Sequence, residues 1–179
     1  MSTANMSMLK RLPSGIVGFD QIAHGGLPEG RSTVVAGTAG SGKTVLALQF
    51  LIAGISNFNQ NGVLVSFEEE PRDLMQNVRS FGWNMEELVE LGRLGIVDAT
   101  PDPGRELIEA GAFDLSALLA RIESAIRKVN AQRVILDTIG ALFPQFTDPN
   151  IVRRELHRIS ANLRRLGVTT LMTLEHTEE

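Results

Sequence analysis

The chain has 179 residues, 43% of them hydrophobic and 21% charged, which suits one globular domain with a sizeable core. It contains no cysteine, which excludes disulfides and thiolate metal sites, and His24, His157 and His176 are too scattered to suggest a zinc site. A formal net charge of −4 argues against a generally basic nucleic-acid binder, and the chain has no run of about 18 apolar residues to propose a membrane span.

The opening MSTANMSMLKRL lacks the apolar core and small-residue cleavage site of a secretory signal. Residues 1–13 are therefore expected to be a flexible lead-in, and the cytoplasm is the expected compartment. RSTVVAG, residues 31–37, is a short β-branched run and reads as a strand. From Lys43 to about Ser56 the sequence is apolar nearly all round, as for a helix buried between layers. NQNG, residues 59–62, reads as a turn before the strand VLVSF, residues 63–67. Pro71 follows Glu68, Glu69 and Glu70 at what would be a first helical position, with Leu74, Met75 and Val78 at helical spacing. Asn84 with Glu87 three residues on predicts a capped helix, and LGIVDA, residues 94–99, a third strand. TPDPGRELIEAGA, residues 100–112, reads as a loop. Leu115, Leu118, Leu119, Ile122, Ile126 and Val129 form an amphipathic stripe that predicts a long helix. RVILD, residues 133–137, is a fourth strand. Val152, Leu156, Ile159, Leu163 and Leu166 predict a second long helix ending at Gly167, and VTTLMTLE, residues 168–175, a fifth strand. Short apolar strands alternating with helices imply an α/β fold, a mainly parallel sheet with helices on both faces.

The segment GTAGSGKT follows the first strand and opens the first long helix. Its residues Gly37, Thr38, Ala39, Gly40, Ser41, Gly42, Lys43 and Thr44 fit the pattern G-x-x-x-x-G-K-[ST]. Glycines let backbone N–H groups converge on phosphate oxygens that side chains would crowd, and the helix adds its positive dipole end. In such a loop the lysine neutralises the β- and γ-phosphates, and the threonine hydroxyl faces Mg²⁺. Mg²⁺ and a nucleoside triphosphate are the expected ligands.

Hydrolysis needs carboxylates as well. Asp137 ends the largely apolar run RVIL in the form of a Walker B acid, able to hold the metal directly or through water. Glu68 and Glu69 follow the second strand, and in parallel sheets ligand chemistry collects at strand carboxyl ends. Either could polarise an attacking water, although acids before Pro71 also suit a helix N-terminus. Of the 17 basic residues fourteen are arginine and three lysine. Arg153, Arg154, Arg158, Arg164 and Arg165 lie on one helix, as a solvated face, as a surface for a neighbouring subunit or acidic partner, or, third, as a DNA contact.

With a phosphate loop, a glutamate pair and a Walker B acid in this order, the chain resembles the RecA-like P-loop NTPases and, among them, the KaiC family of circadian-clock ATPases. The resemblance runs from about Ile16 to Glu179. It is carried by GFDQIAHGGLPEGRSTVVAGTAGSGKT, SFEEEPRDLMQNVRSFGW, DATPDP, GAFDLSALLARIE and VRRELHRISANLRRLGVTTLMTLEH. RSFGW and DATPDP separate this family from general recombinases better than the phosphate loop does.

The resemblance implies the first of two tandem domains, slow ATP hydrolysis, a hexameric ring with ATP between subunits, and clock partner proteins. Matched by position, Glu68 and Glu69 correspond to the family's catalytic pair, with Glu68 the proton acceptor, and Thr44 to the Mg²⁺ ligand. Gly40, Ser41, Gly42, Lys43 and Val45 correspond to phosphate-loop contacts, and Ser80 to a further nucleotide contact. The family's autophosphorylated residues belong to its second domain, so autokinase activity is not expected of this chain. The family domain continues beyond residue 179 with more strands and a Lys-x-Arg segment that reaches the neighbour's nucleotide. Residues 14–179 are accordingly expected to be a KaiC-like RecA-type domain, incomplete at its C-terminal end. Two other readings remain open on the residues: a recombinase-like DNA-dependent ATPase and a non-hydrolysing nucleotide-binding assembly module.

Overall fold

The computed structural model describes residues 9–100, 115–145 and 148–176. Near its start, β1 (Arg11–Leu12) pairs antiparallel with β2 (Leu27–Pro28) across the short helix α1 (Phe19–Ile22). The remaining elements follow the alternation legible in the sequence: β3 (Ser32–Gly37), α2 (Lys43–Phe58), β4 (Gly62–Ser66), α3 (Pro71–Val78) and α4 (Met85–Glu90). They continue with β5 (Leu94–Asp98), α5 (Leu115–Val129), β6 (Arg133–Asp137), a 3₁₀ segment (Ile139–Gln145), α6 (Pro149–Arg165) and β7 (Thr169–Glu175). The loop expected over 100–112 lies, beyond Thr100, outside the described residues.

Local chemistry accounts for the boundaries. Pro71 opens α3, where a missing N–H costs nothing. The Asn84 side chain accepts from the Glu87 amide and its Nδ2 donates to Glu87 Oε2 at 3.0 Å, so the cap read from the sequence is present. Gly167, with φ of 75°, ends α6 in the left-handed region.

Five strands form one parallel sheet in the order β3-β7-β6-β4-β5. Alternate residues of each strand face opposite layers. Val63, Val65, Val134, Leu136 and Met172 pack with the apolar stripes of α5 and α6. Leu64, Ile135 and Leu171 pack on the other side with Leu48, Phe50 and Leu51 of α2 and with Leu74 and Met85 beyond it. Every residue of β4 and β6 is buried, so the central strands are covered on both faces as expected. Among the described residues β3 pairs only with β7, and its Val34 is 54% exposed, so this strand is less covered than its sequence suggests.

The lead-in expected over residues 1–13 is held in place where it is described. Leu12 is buried, and the fully buried Arg133 at the start of β6 donates to the Pro13 carbonyl at 2.7 Å and the Ser14 carbonyl at 3.2 Å. Arg133 also donates to the Phe50 carbonyl and to Gln60 Oε1, each at 2.8 Å, and lies over the Phe50 ring. Asp20 then accepts the amides of Ser14 and Gly15, closing the segment against the domain. A basic side chain 120 positions away along the chain thus anchors the backbone at Pro13 and Ser14.

Candidate functional site

Because the sheet is parallel, the carboxyl ends of β3, β4, β6 and β7 open on one side, where loops can converge on a ligand. A cleft of about 340 Å³ lies there, lined by Gly40, Gly42, Lys43, Thr44, Val45, Glu68, Glu69, Asp137, Thr138 and Glu175. That volume falls within the range of small-molecule sites, about 300–1,000 Å³. Two somewhat larger cavities, about 420 Å³ beside α2 and α4 and about 450 Å³ between α5 and α6, bring no glycine loop and carboxylates together.

The loop between β3 and α2 has the form its glycines require. Gly40 and Gly42 have φ of 73° and 85°, a region L side chains avoid. At Gly37 the constraint is space: a Cβ there would stand 2.7 Å from Ser41 Oγ. Ser41 donates its amide to the Thr38 carbonyl at 3.2 Å, tightening the turn. The first bond of α2 runs from Leu46 N to the Gly42 carbonyl, so the amides of Lys43, Thr44 and Val45 precede the helical ladder. Those donors, with the helix dipole, make an anion site. Lys43 Nζ donates to the Thr38 carbonyl at 2.6 Å and lies 3.5 Å from Ser41 Oγ, which holds the ammonium over the loop with donor capacity left for an anion.

Opposite the loop stand the acids. Asp137 is 7% exposed, and its Oδ1 accepts the Thr44 hydroxyl at 3.2 Å and the Thr173 hydroxyl. Thr138 donates its hydroxyl to the Thr173 carbonyl at 2.9 Å, and the Asp137–Thr138 peptide is cis. Glu68 projects from the end of β4. Partial burial by the cleft walls, then the nearby carboxylates of Glu175 and Asp137, raise its proton affinity above the ordinary glutamate value of 4.5, and Lys43 opposes them. Glu69 is tied down: its Oε1 accepts from Asn77 Nδ2 at 2.7 Å, and its carbonyl accepts from Ser66 Oγ at 2.5 Å. Glu70 is the residue before Pro71 at the start of α3.

The structure thus brings Gly40, Gly42, Lys43, Thr44, Val45, Glu68, Glu69 and Asp137 to one cleft, with Gly37, Thr38 and Ser41 shaping the loop behind it. Ala39 is an exposed loop residue. Ser80 is not among the residues lining the cleft; it is exposed on the 3₁₀ turn Arg79–Phe81 and donates at 3.1 Å to the carbonyl of Asn77, whose side chain bonds Glu69. Sequence reasoning missed Thr138, Thr173 and Glu175. The strand-end rule that singled out Glu68 and Asp137 applies equally to Glu175, which closes β7 opposite Gly37.

The arginines of α6 are largely engaged within the chain. Arg154 and Arg158 pair with Glu155 at 3.3 Å each, Arg158 donates to Ser116 Oγ at 2.7 Å, and Arg165 pairs with Glu123 of α5 at 3.2 Å. Among the described residues no helix is long and apolar enough to cross a membrane.

A parallel sheet whose first strand feeds a glycine loop and helix, faced by an acid on β6, defines a P-loop NTPase of the RecA-like fold. The family profile described as "ATPase: KaiC" matches residues 12–179. The chain is 52% identical over 172 residues to the circadian clock oscillator protein KaiC of Thermostichus vulcanus, covering 96% of this chain and 33% of that protein. It is 51% identical over 172 residues to KaiC of Synechococcus elongatus, at 96% and 33% coverage, and 49% identical over 178 residues to KaiC of Parasynechococcus marenigrum, at 99% and 35%. The chain belongs to the KaiC ATPase family, and it spans about a third of the length of the curated relatives it matches.

Proposed function

We propose that this chain binds Mg·ATP in the cleft above β3, β6 and β4 and hydrolyses it slowly, as part of a nucleotide-bridged ring serving a clock or signalling timer. The observation that carries the chemistry is geometric: the Glu68 carboxylate lines the same cleft as the phosphate loop, Thr44 and Asp137. The amides at the start of α2 and the Lys43 ammonium bind the β- and γ-phosphates. Glu68 accepts a proton from a water whose oxygen bonds to the γ-phosphorus as the bond from that phosphorus to the ADP oxygen breaks. Glu69, fixed by Asn77, helps to orient that water.

Among the described residues no group of three or more His, Cys, Asp or Glu side chains could hold a metal ion by itself. A Mg²⁺ here would rest on the Thr44 hydroxyl, on Asp137 directly or through water, and on phosphate oxygens. The donor set fits, because the Thr44 proton points to Asp137 and leaves hydroxyl lone pairs for a hard cation. When bound, the ion would supply Lewis-acid stabilisation of charge developing on phosphate oxygens.

Ring assembly and clock partners are proposed from the relatives, whose names place them in a circadian oscillator. Glu68→Gln with Glu69→Gln tests the catalytic assignment: nucleotide binding should persist while phosphate release stops. Phosphate release at the wild-type rate from that double variant would overturn it. Binding without turnover in the wild-type chain would favour the non-hydrolysing module instead.

A further inference from the structure

We infer that Thr173 is a positioning residue for the Asp137 carboxylate and, through it, for the Thr44 hydroxyl, so that the affinity of the site for Mg²⁺-bound nucleotide depends on one buried hydroxyl on β7. This rests on the proposed Mg·ATP reading of the cleft. Thr173 is fully buried, and its hydroxyl has a single proton to give. Asp137 Oδ1 receives it, while the alternative acceptor, the Leu136 carbonyl, is 3.5 Å away. The same Oδ1 accepts the Thr44 hydroxyl at 3.2 Å, so one carboxylate oxygen takes donors from two elements, β7 and the first turn of α2. Thr138 braces the arrangement through the Thr173 carbonyl at 2.9 Å.

Strand propensity does not account for this bond. Thr170, on the same strand and equally buried, has a hydroxyl without a partner among the described residues, so its β-branched shape alone suits the position. At 173 the hydroxyl is aimed. This bond opposes rotation of Asp137 about its terminal torsion. With Asp137 fixed, the Thr44 proton has one acceptor to point at and its lone pairs keep one direction. Outer groups that orient ligand residues are typically worth about 10–100-fold in metal affinity.

The test compares nucleotide affinity in Mg²⁺ with affinity in EDTA for wild type, Thr173→Val, Thr173→Ala and Thr173→Ser, with circular dichroism beside each. Wild type should bind ATP more tightly with Mg²⁺; failure of wild type to bind at all would defeat the proposed function before any variant is examined. Thr173→Val, which keeps shape and removes the donor, should lose about 10–100-fold of the Mg²⁺-dependent gain while its EDTA affinity stays within about twofold of wild type. Thr173→Ala should lose the same gain, and Thr173→Ser, which keeps the donor, should retain it. A full Mg²⁺ gain in a folded donor-free variant overturns the inference. So does a Thr173→Ser chain that loses the gain.

Discussion

Replacing Arg133 by methionine removes the guanidinium that holds the N-terminal segment to the sheet while keeping an unbranched side chain in its place. Burial lowers the arginine's proton affinity to about 10, with Asp20 opposing, so the group stays cationic at neutral pH. Four hydrogen bonds disappear, to Pro13, Ser14, Phe50 and Gln60. Bonds from a charged donor contribute about 1.5 kcal/mol each at the low end, or about 6 kcal/mol together. Relief from burying a charge, and the apolar contacts of methionine, offset about half of that, leaving a loss of about 3 kcal/mol. For a chain of this size such a loss lowers the melting temperature by about 6–12 °C. Gly54→Ala attacks the same group from α2, because its Cβ would stand 2.3 Å from Arg133 Cδ. Urea denaturation followed by circular dichroism reads both variants. An Arg133→Met chain within about 1 kcal/mol of wild type would refute the reasoning, showing that the segment is held by something other than the buried arginine.

Glu68 yields two pH predictions. Its folded-state proton affinity is raised above 4.5 by burial and then by Glu175 and Asp137, so its favourable contribution to stability is complete below that pH and is lost as pH rises. Glu68→Gln should therefore melt no lower than wild type at pH 7, with any advantage vanishing on acidification below the ordinary glutamate range; scanning calorimetry across pH checks this. Glu175→Gln removes one of the charges that raise Glu68, so the acid limb of the phosphate-release profile should move to lower pH. An unmoved limb would show that Glu175 does not act on the base.

The phosphate loop was legible because its chemistry is contiguous: three glycines, Lys43 and Thr44 sit within eight residues between a strand and a helix. The central strands were legible because each is buried on both faces and carries an apolar centre, Val63–Val65 in one and Val134–Leu136 in the other, and the Asn84–Glu87 cap because its partners are three residues apart. What escaped depends on neighbours far apart in sequence. Arg133 looks like an ordinary first residue of RVILD until Pro13 and Ser14 fold over it. Thr173 looks like one more β-branched strand residue until β7 is placed beside β6. The pairing of β1 with β2 is only two residues long on each side, too short for any periodicity to mark. Ser80 is implied by family resemblance alone, because nothing in the local pattern of RSFGW marks a nucleotide contact.

The account depends most on the loop from Gly37 to Thr44 gripping a magnesium-bound triphosphate with its amides and the Lys43 ammonium. Isothermal titration of Mg·ATP into the folded wild-type chain and into Lys43→Ala measures this directly. The account predicts saturable heat from the wild type and its loss, or a large weakening, in the variant. A folded wild-type chain that gives no heat, or a Lys43→Ala chain that binds as tightly as wild type, would contradict it.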